Sequence, residues 1–218
     1  MNKYGKKYSI ETENYIRKHF YKSIGTYWML VELFQVYSEL GIFPEENDMY
    51  IAYLNELKKA FGVNKNILDV ASGNIPAFAN KVALEQIRIG EGSITICDPS
   101  LIIEEPKYQN MKLCKDMFTM KTDISSYDLI TGIMPCEATE TIIRNACENN
   151  KDFFVAFCVC DHSDNYAYSI DNEYIPSFER NKELARQLVE KYNMGELVEG
   201  YLDSRYSVRT PYVYNKRR

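Results

Sequence analysis

Residues 66–79, "NILDVASGNIPAFA", decide the fold of this chain. The apolar pair Ile67-Leu68 leads to Asp69 and then to a turn of small residues at 71–74, after which the chain becomes apolar again. This order is typical of a buried strand that opens into a loop and continues as a helix. The stretch lacks the G-x-G-x-x-G glycines of a dinucleotide-binding loop. It therefore predicts a strand–loop–helix unit, and it leaves open whether the loop holds a cofactor or is only a tight turn.

The composition is that of a soluble globular protein, with 45% hydrophobic and 26% charged residues among 218. This length suits one domain, or one domain with a cap. The sequence has no apolar run of membrane-spanning length and no signal-peptide pattern at its N-terminus, so we expect no membrane association and a cytoplasmic location. The six cysteines are too sparse for a secreted disulfide scaffold, which predicts reduced thiols. The net charge of −5 argues against a broad nucleic-acid surface, and nothing in the sequence indicates an oligomeric state.

The hydrophobic pattern changes near residue 62 and divides the chain into a helical cap, 1–62, and a second unit, 63–218. Before this point apolar residues recur every three or four positions, which predicts helices, the last of them ending near Gly62. After it, short apolar runs alternate with helical stretches, which predicts an α/β fold with a mostly parallel sheet covered on both faces. The predicted strands are 67–70, 93–97, 112–114, 129–133, 153–158, 197–202 and 208–214, the last two forming a hairpin. The predicted helices of this unit are 76–89, 138–149 and 177–192.

Ligands of such sheets bind at the carboxyl ends of the strands, where the strand order reverses. Acidic or small polar residues follow several of the predicted strands. We therefore expect one site at this edge, built from Asp69 with the loop 71–76, Asp98-Pro99, Asp116-Met117, residues 132–140 and residues 158–162.

Several short motifs follow one another along residues 67–135. They are "ILDVASGNIPAFA", then "ITICDPS" with an acid after the strand, then "CKDMFTMKTDISSYDLITGIMP". Their order and spacing, together with the terminal "GELVEGYLDSRYSVRTPYVYN", resemble the class I S-adenosylmethionine-dependent methyltransferases. The resemblance implies a Rossmann-like sheet of about seven strands, mostly parallel with a C-terminal antiparallel hairpin and helices on both faces. It also implies methyl transfer as the activity and S-adenosyl-L-methionine as the cofactor.

The loop departs from the family pattern, because Ala71 and Ile75 stand where glycines are usual and only Gly73 remains. Glycine serves such loops by allowing positive φ and a close approach of the backbone to the ligand. A methionine moiety needs less room than a pyrophosphate, so the loop favours S-adenosylmethionine over a dinucleotide. The alternative is a non-catalytic S-adenosylmethionine-binding or interaction domain with a degenerate glycine loop.

The resemblance assigns a role to each strand end. Backbone groups of 71–74 would line the methionine moiety, with Asp69 near its ammonium group. Asp98 would accept hydrogen bonds from both ribose hydroxyls, unless it only caps the turn before Pro99. Asp116 would accept from the adenine amino group, with Asp123 as the alternative. The predicted cofactor-binding residues are Asp69, Ala71, Ser72, Gly73, Asn74, Asp98, Pro99, Asp116, Met117, Met134 and Pro135.

Residues 134–162, from "MPCEATE" to "FCVCDH", are similar to a subset of the family. That subset has a Cys-Gly-Ala-Thr-Asp-type turn after strand four and a Cys-Cys-His-type cluster after strand five. It includes enzymes that modify tRNA, so the methyl acceptor stays open between a small molecule and RNA. Methyl transfer mainly requires alignment and at most the removal of a proton. The predicted catalytic residues are His162, Glu137 and Asp161, in that order.

Two further expectations concern the same region. Cys136, Cys158, Cys160 and His162 are of the types that bind zinc, but cysteines in a buried strand behave as small hydrophobes, so we predict no metal. Thr139 is expected to cap the helix 138–149. The polar, tyrosine-rich segment 162–178 is expected to be a loop that acts as a lid, and the N-terminal helices are expected to cover the active-site edge.

Overall fold

A computed structural model describes residues 49–73, 76–158, 168–170, 173–175, 177–202 and 210–217. The predicted helices before residue 49 and the turn at 203–205 lie outside these residues. The helices are α1 (Met49–Phe61), α2 (Ala77–Ile89), α3 (Ala138–Glu148) and α4 (Ser177–Lys191). The strands are β1 (Asn66–Val70), β2 (Ser93–Cys97), β3 (Met111–Cys114), β4 (Leu129–Ile133), β5 (Asp152–Ala156), β6 (Tyr168–Ile170), β7 (Glu173–Ile175), β8 (Glu196–Leu202) and β9 (Thr210–Lys216).

Seven of the described strands form one sheet in the order β3-β2-β1-β4-β5-β9-β8. Strands β1 to β5 pair in parallel, and β9 runs antiparallel to both of its neighbours, β5 and β8. The fold class is therefore confirmed, including the C-terminal antiparallel hairpin. Because β1 lies between β2 and β4, the strand order reverses at β1. The carboxyl ends of β1 and β4 are thus the place where a ligand site is expected.

The central strands are mainly apolar because both faces of the sheet are covered. On one face, Ile67 and Phe154 belong to a core that also contains side chains of α1 and α2. On the other face, Leu68 and Val155 belong to a core shared with α3 and α4. Successive residues of a strand point to opposite faces, so each of these strands contributes to both cores.

Helix α1 packs against one face of the sheet. The ring of Tyr53 is fully buried and stacks on Phe154 with ring centroids 4.2 Å apart, while its hydroxyl donates to the Phe154 carbonyl. At the start of the helix, the Thr210 hydroxyl contacts Met49 Sδ at 3.9 Å. Thr210 begins β9, which runs antiparallel to β5, so α1 starts at the carboxyl edge of the parallel strands.

The structure corrects two expectations. The segment 162–178 was expected to have no secondary structure, but β6 and β7 pair antiparallel within it, from Tyr168 opposite Ile175 to Ile170 opposite Glu173. Thr139 does not cap α3, because it is buried inside the helix and the N-cap is Glu137, without a side-chain cap hydrogen bond. Among the helices of the described residues, none has the length and apolarity to cross a membrane.

Candidate functional site

Asp69 lies near the end of β1 and is only 2% exposed. Its carboxylate accepts a hydrogen bond from Ser72 Oγ at 2.6 Å and another from Thr131 Oγ1 at 3.1 Å. Burial raises the pKa of Asp69 to about 7, and the nearby Asp98 charge adds to the rise, whereas the two hydroxyl bonds act against it. The charged form of this carboxyl therefore lacks compensation, which a cationic group beside it would provide.

The loop after β1 keeps the backbone shape that glycines usually provide. Ala71 has φ +57° and Gly73 has φ +75°, both in the left-handed region. The Ala71 amide donates to the Cys97 carbonyl at 3.0 Å, which fixes the loop against the end of β2. Ala71 adopts this conformation despite its Cβ, at a cost of about 1–2 kcal/mol. Asn74 and Ile75 lie outside the described residues.

Asp98 directly follows β2 and forms a hydrogen bond to the loop that follows β1. It is 6% exposed, and its two carboxylate oxygens accept from the Gly73 amide at 2.8 Å and the Ser100 amide at 2.7 Å. The bond from Ser100 is the turn cap that was the alternative interpretation of this residue. The bond from Gly73 is additional and connects Asp98 to the loop after β1. Since a carboxylate oxygen has two acceptor sites, each oxygen keeps one for a ligand.

The end of β3 is more open. Asp116 is exposed and accepts a weak hydrogen bond from Cys114 Sγ at 3.8 Å, and Met117 is 67% exposed. Asp123, the alternative to Asp116, accepts from the Ser125 amide at 2.9 Å, and this bond lowers the pKa of Asp123. The Asp123 carboxylate therefore stabilises the turn that contains Ser125, whereas Asp116 lies two residues after the end of β3. Pro99, at the end of β2, is exposed.

The turn after β4 holds two residues other than glycine at positive φ, Met134 at +51° and Cys136 at +43°, on either side of Pro135. Such backbone costs about 1–3 kcal/mol per residue and is found most often at functional sites. The Met134 amide donates to the Ala156 carbonyl at 2.8 Å, and Cys136 Sγ donates to the Met134 carbonyl at 3.3 Å. Burial and the Glu137 charge raise the pKa of Cys136 to about 11. No sequence signal predicts this conformation.

Glu137 is exposed at the start of α3. Cys158, just past β5, is half-buried. His162, Asp161 and Cys160 lie outside the described residues. Their predicted roles, and the predicted absence of a metal, stay predictions.

Neither the known protein families nor the curated proteins contain a match to this chain. Among solved structures, it is similar to magnesium protoporphyrin IX methyltransferase (ChlM) from Synechocystis PCC 6803 with bound SAH. The identity is 8%, the alignment covers 96% of this chain and 95% of that one, and the TM-score is 0.52. The chain shares the fold of this enzyme. The same enzyme with bound SAM (10% identity, 98% and 100% covered) gives a TM-score of 0.49. The sugar N-methyltransferase KedS8 from a Streptoalloteichus species (10% identity, 83% and 93% covered) gives 0.48. At these identities the likeness shows the fold alone.

The structure joins four of the predicted residues in two hydrogen-bonded pairs. The Ser72 hydroxyl donates to the Asp69 carboxylate, and the Gly73 amide donates to the Asp98 carboxylate. Thr131 was missed, although it is a polar residue within the apolar strand "LITGI" and lies opposite Asp69 in the register of β1 and β4. A polar residue in a strand that is buried on both faces is a usable sequence signal, because it must find a hydrogen-bond partner.

Proposed function

We propose that this chain is an S-adenosylmethionine-dependent methyltransferase that acts on a small molecule or RNA. The observation that carries the proposal is the buried Asp98 carboxylate, which accepts from the Gly73 amide at 2.8 Å beside the reversal of strand order. This bond ties the loop of the first strand to the acid of the second, as a shared binding site for a nucleoside and its substituent requires. The methyltransferase fold supports the same function.

The residues at the strand ends suit this cofactor chemically. In the proposal, Asp69 lies near the ammonium group of the methionine moiety, which would compensate the buried carboxylate. Asp98 holds the ribose hydroxyls with the acceptor sites left after its bonds to Gly73 and Ser100. Asp116 accepts from the adenine amino group, and the exposed Met117 is free to pack on the ring. The remaining predicted contacts are the backbone of 71–74, Pro99, Met134 and Pro135.

When bound, the cofactor supplies a methyl group already activated by the sulfonium. The protein then has to align the acceptor and, for some acceptors, remove a proton. His162 is proposed for the proton, followed by Glu137 and Asp161. Glu137 is exposed at the start of α3, directly after the strained turn that follows β4.

Titration calorimetry with S-adenosylmethionine, S-adenosylhomocysteine and NAD tests the proposal. We expect both sulfur compounds to bind and NAD not to bind. Asp98→Ala should weaken S-adenosylhomocysteine by about 1–3 kcal/mol, the cost of leaving buried polar partners unmatched. Tight NAD binding, or no binding of either sulfur compound to folded protein, would contradict the proposal.

Asp123→Ala is the matched control. Asp123 accepts from the amide two residues ahead, Ser125, as Asp98 accepts from Ser100, but it has no bond to the described part of the β1 loop, residues 71–73. Losing the turn cap alone should therefore leave affinity unchanged. If both variants weaken binding equally, Asp98 acts only through its turn and its ribose role is wrong.

The second candidate is a non-catalytic S-adenosylmethionine-binding or interaction domain. The Cβ of Ala71, at a position where the family usually has glycine, is the observation that favours it. Binding without formation of S-adenosylhomocysteine across small-molecule and RNA acceptors would favour this alternative.

A further inference from the structure

Two free cysteines stand side by side at the carboxyl edge of the sheet. Cys97 ends β2, Cys114 ends β3, and the two are direct partners in the parallel register. Both belong to the core on the same face of the sheet. Neighbouring strands place paired Cα atoms about 4.8 Å apart, within the range of about 4.4–6.8 Å that a disulfide spans.

The pair is connected to the residues of the proposed site through its backbone. The Cys97 carbonyl accepts from the Ala71 amide, and the Cys114 carbonyl accepts from the Asp98 amide, both at 3.0 Å. The thiol of Cys97 donates to the Asp116 carbonyl at 3.4 Å. A covalent bond between the two sulfurs would therefore shift groups that hold the β1 loop and two of the proposed cofactor-binding acids.

We propose that Cys97 and Cys114 are a dithiol that a hydroperoxide oxidises to a reversible disulfide, which changes ligand affinity at the adjoining site. This second part rests on the proposed function. The half-exposed Cys114 is the thiol that a small oxidant reaches first, whereas Cys97 is 2% exposed and burial raises its pKa to about 12.

The reaction balances with hydrogen peroxide as the oxidant. The Cys114 sulfur attacks one peroxide oxygen, so that an S–O bond forms, the O–O bond breaks, and the departing hydroxide takes the thiol proton as water. The Cys97 sulfur then attacks the Cys114 sulfur, so that the S–S bond forms, the S–O bond breaks, and the second hydroxide leaves as water with the Cys97 proton. Two thiols lose two electrons and one peroxide becomes two waters.

Peptide mapping of the wild-type chain tests the first part without any variant. After mild hydrogen peroxide, alkylation and trypsin, we expect peptide Ile89–Lys107 linked to Leu113–Lys115, and dithiothreitol should separate them. Cys147, a free and buried cysteine that carries no such bond, should be recovered alkylated under denaturing conditions. Recovery of Cys114 as sulfinic acid, or of Cys97 and Cys114 both alkylated, would overturn the proposal.

Calorimetry of the oxidised and reduced proteins tests the second part. We expect oxidation to weaken S-adenosylhomocysteine at least fivefold and reduction to restore it. Cys97→Ala removes the cross-link, so peroxide should leave the affinity of this variant unchanged. Equal affinity of cross-linked and reduced wild type would overturn the coupling. Absence of S-adenosylhomocysteine binding to the reduced protein would instead overturn the proposed function, while the peptide map still decides the disulfide.

Discussion

At the scale of single residues, Asp69 is a carboxyl group held in the interior, with a pKa raised from 3.8 to about 7. Between these values the folded protein binds one proton more than the unfolded chain, so the free energy of unfolding falls as pH rises. The contribution of protonated Asp69 to the free energy of unfolding is complete below about pH 4, and it is lost as the pH rises through 7. Three pKa units correspond to about 4 kcal/mol, of which roughly 2–3 kcal/mol falls between pH 5 and pH 8.

We therefore predict that Asp69→Asn removes this dependence. The amide has nearly the same shape and does not ionise, so the variant should gain roughly 2–3 kcal/mol relative to wild type between pH 5 and pH 8. Urea unfolding at both pH values measures the gain. Asp123→Asn is the control, because the lowered pKa of Asp123 leaves it ionised in both states above pH 5. An equal gain in the two variants, or none in Asp69→Asn, would show that Asp69 is charged without penalty.

At the scale of elements, the terminal hairpin depends on one glycine. Gly200 of β8 lies opposite Tyr212 of β9, and a Cβ at Gly200 would stand 2.4 Å from Tyr212 Cζ and from its hydroxyl oxygen. The same hydroxyl donates to Glu56 Oε2 of α1 at 3.3 Å. The ring thus covers the glycine and connects β9 to α1, so a side chain at position 200 would displace strand and helix contacts together.

Gly200→Ala should lower the free energy of unfolding by about 2 kcal/mol, within the range for overpacking a well-packed site. A double-mutant cycle with Tyr212→Ala isolates the clash, since the cost of Gly200→Ala should fall below about 0.5 kcal/mol once the ring is gone. Gly90→Ala is the comparison, because a Cβ there meets nothing within 4 Å and only the left-handed φ of +76° opposes it, at about 1 kcal/mol. An unchanged cost of Gly200→Ala in the Tyr212→Ala background would exclude the ring as the cause.

At the scale of the whole molecule, the central sheet could be predicted because its strands are short apolar runs separated by helices. Strands β2 and β4 were predicted at their observed bounds, and β1, β3, β5, β8 and β9 to within two residues. The hairpin of β6 and β7 could not be predicted, because strands of three residues in a polar segment are too short to show an alternation of apolar and polar residues. The Asp98–Gly73 bond and the strained turn around Pro135 arise from tertiary approach of separate segments, which local sequence does not encode.

The last prediction uses this layout, in which one edge of the sheet carries the described residues of the proposed site and the other edge carries none of them. Amides of Ala71, Gly73 and Asp98 bond across strand ends at the carboxyl edge, whereas Asn66 and Asp128 exchange bonds at the exposed amino edge. Local opening at the carboxyl edge would break the site, so bound S-adenosylhomocysteine must oppose it.

Hydrogen exchange should therefore slow at least tenfold for the three carboxyl-edge amides in the presence of saturating S-adenosylhomocysteine. The Asn66 and Asp128 amides should change less than twofold, because they open by local fraying that leaves the site intact. NAD, added at the same concentration, serves as the control ligand and should change neither set. Strongest protection at the amino edge, or at β8 and β9, would place the ligand away from the reversal of strand order and contradict the proposed site.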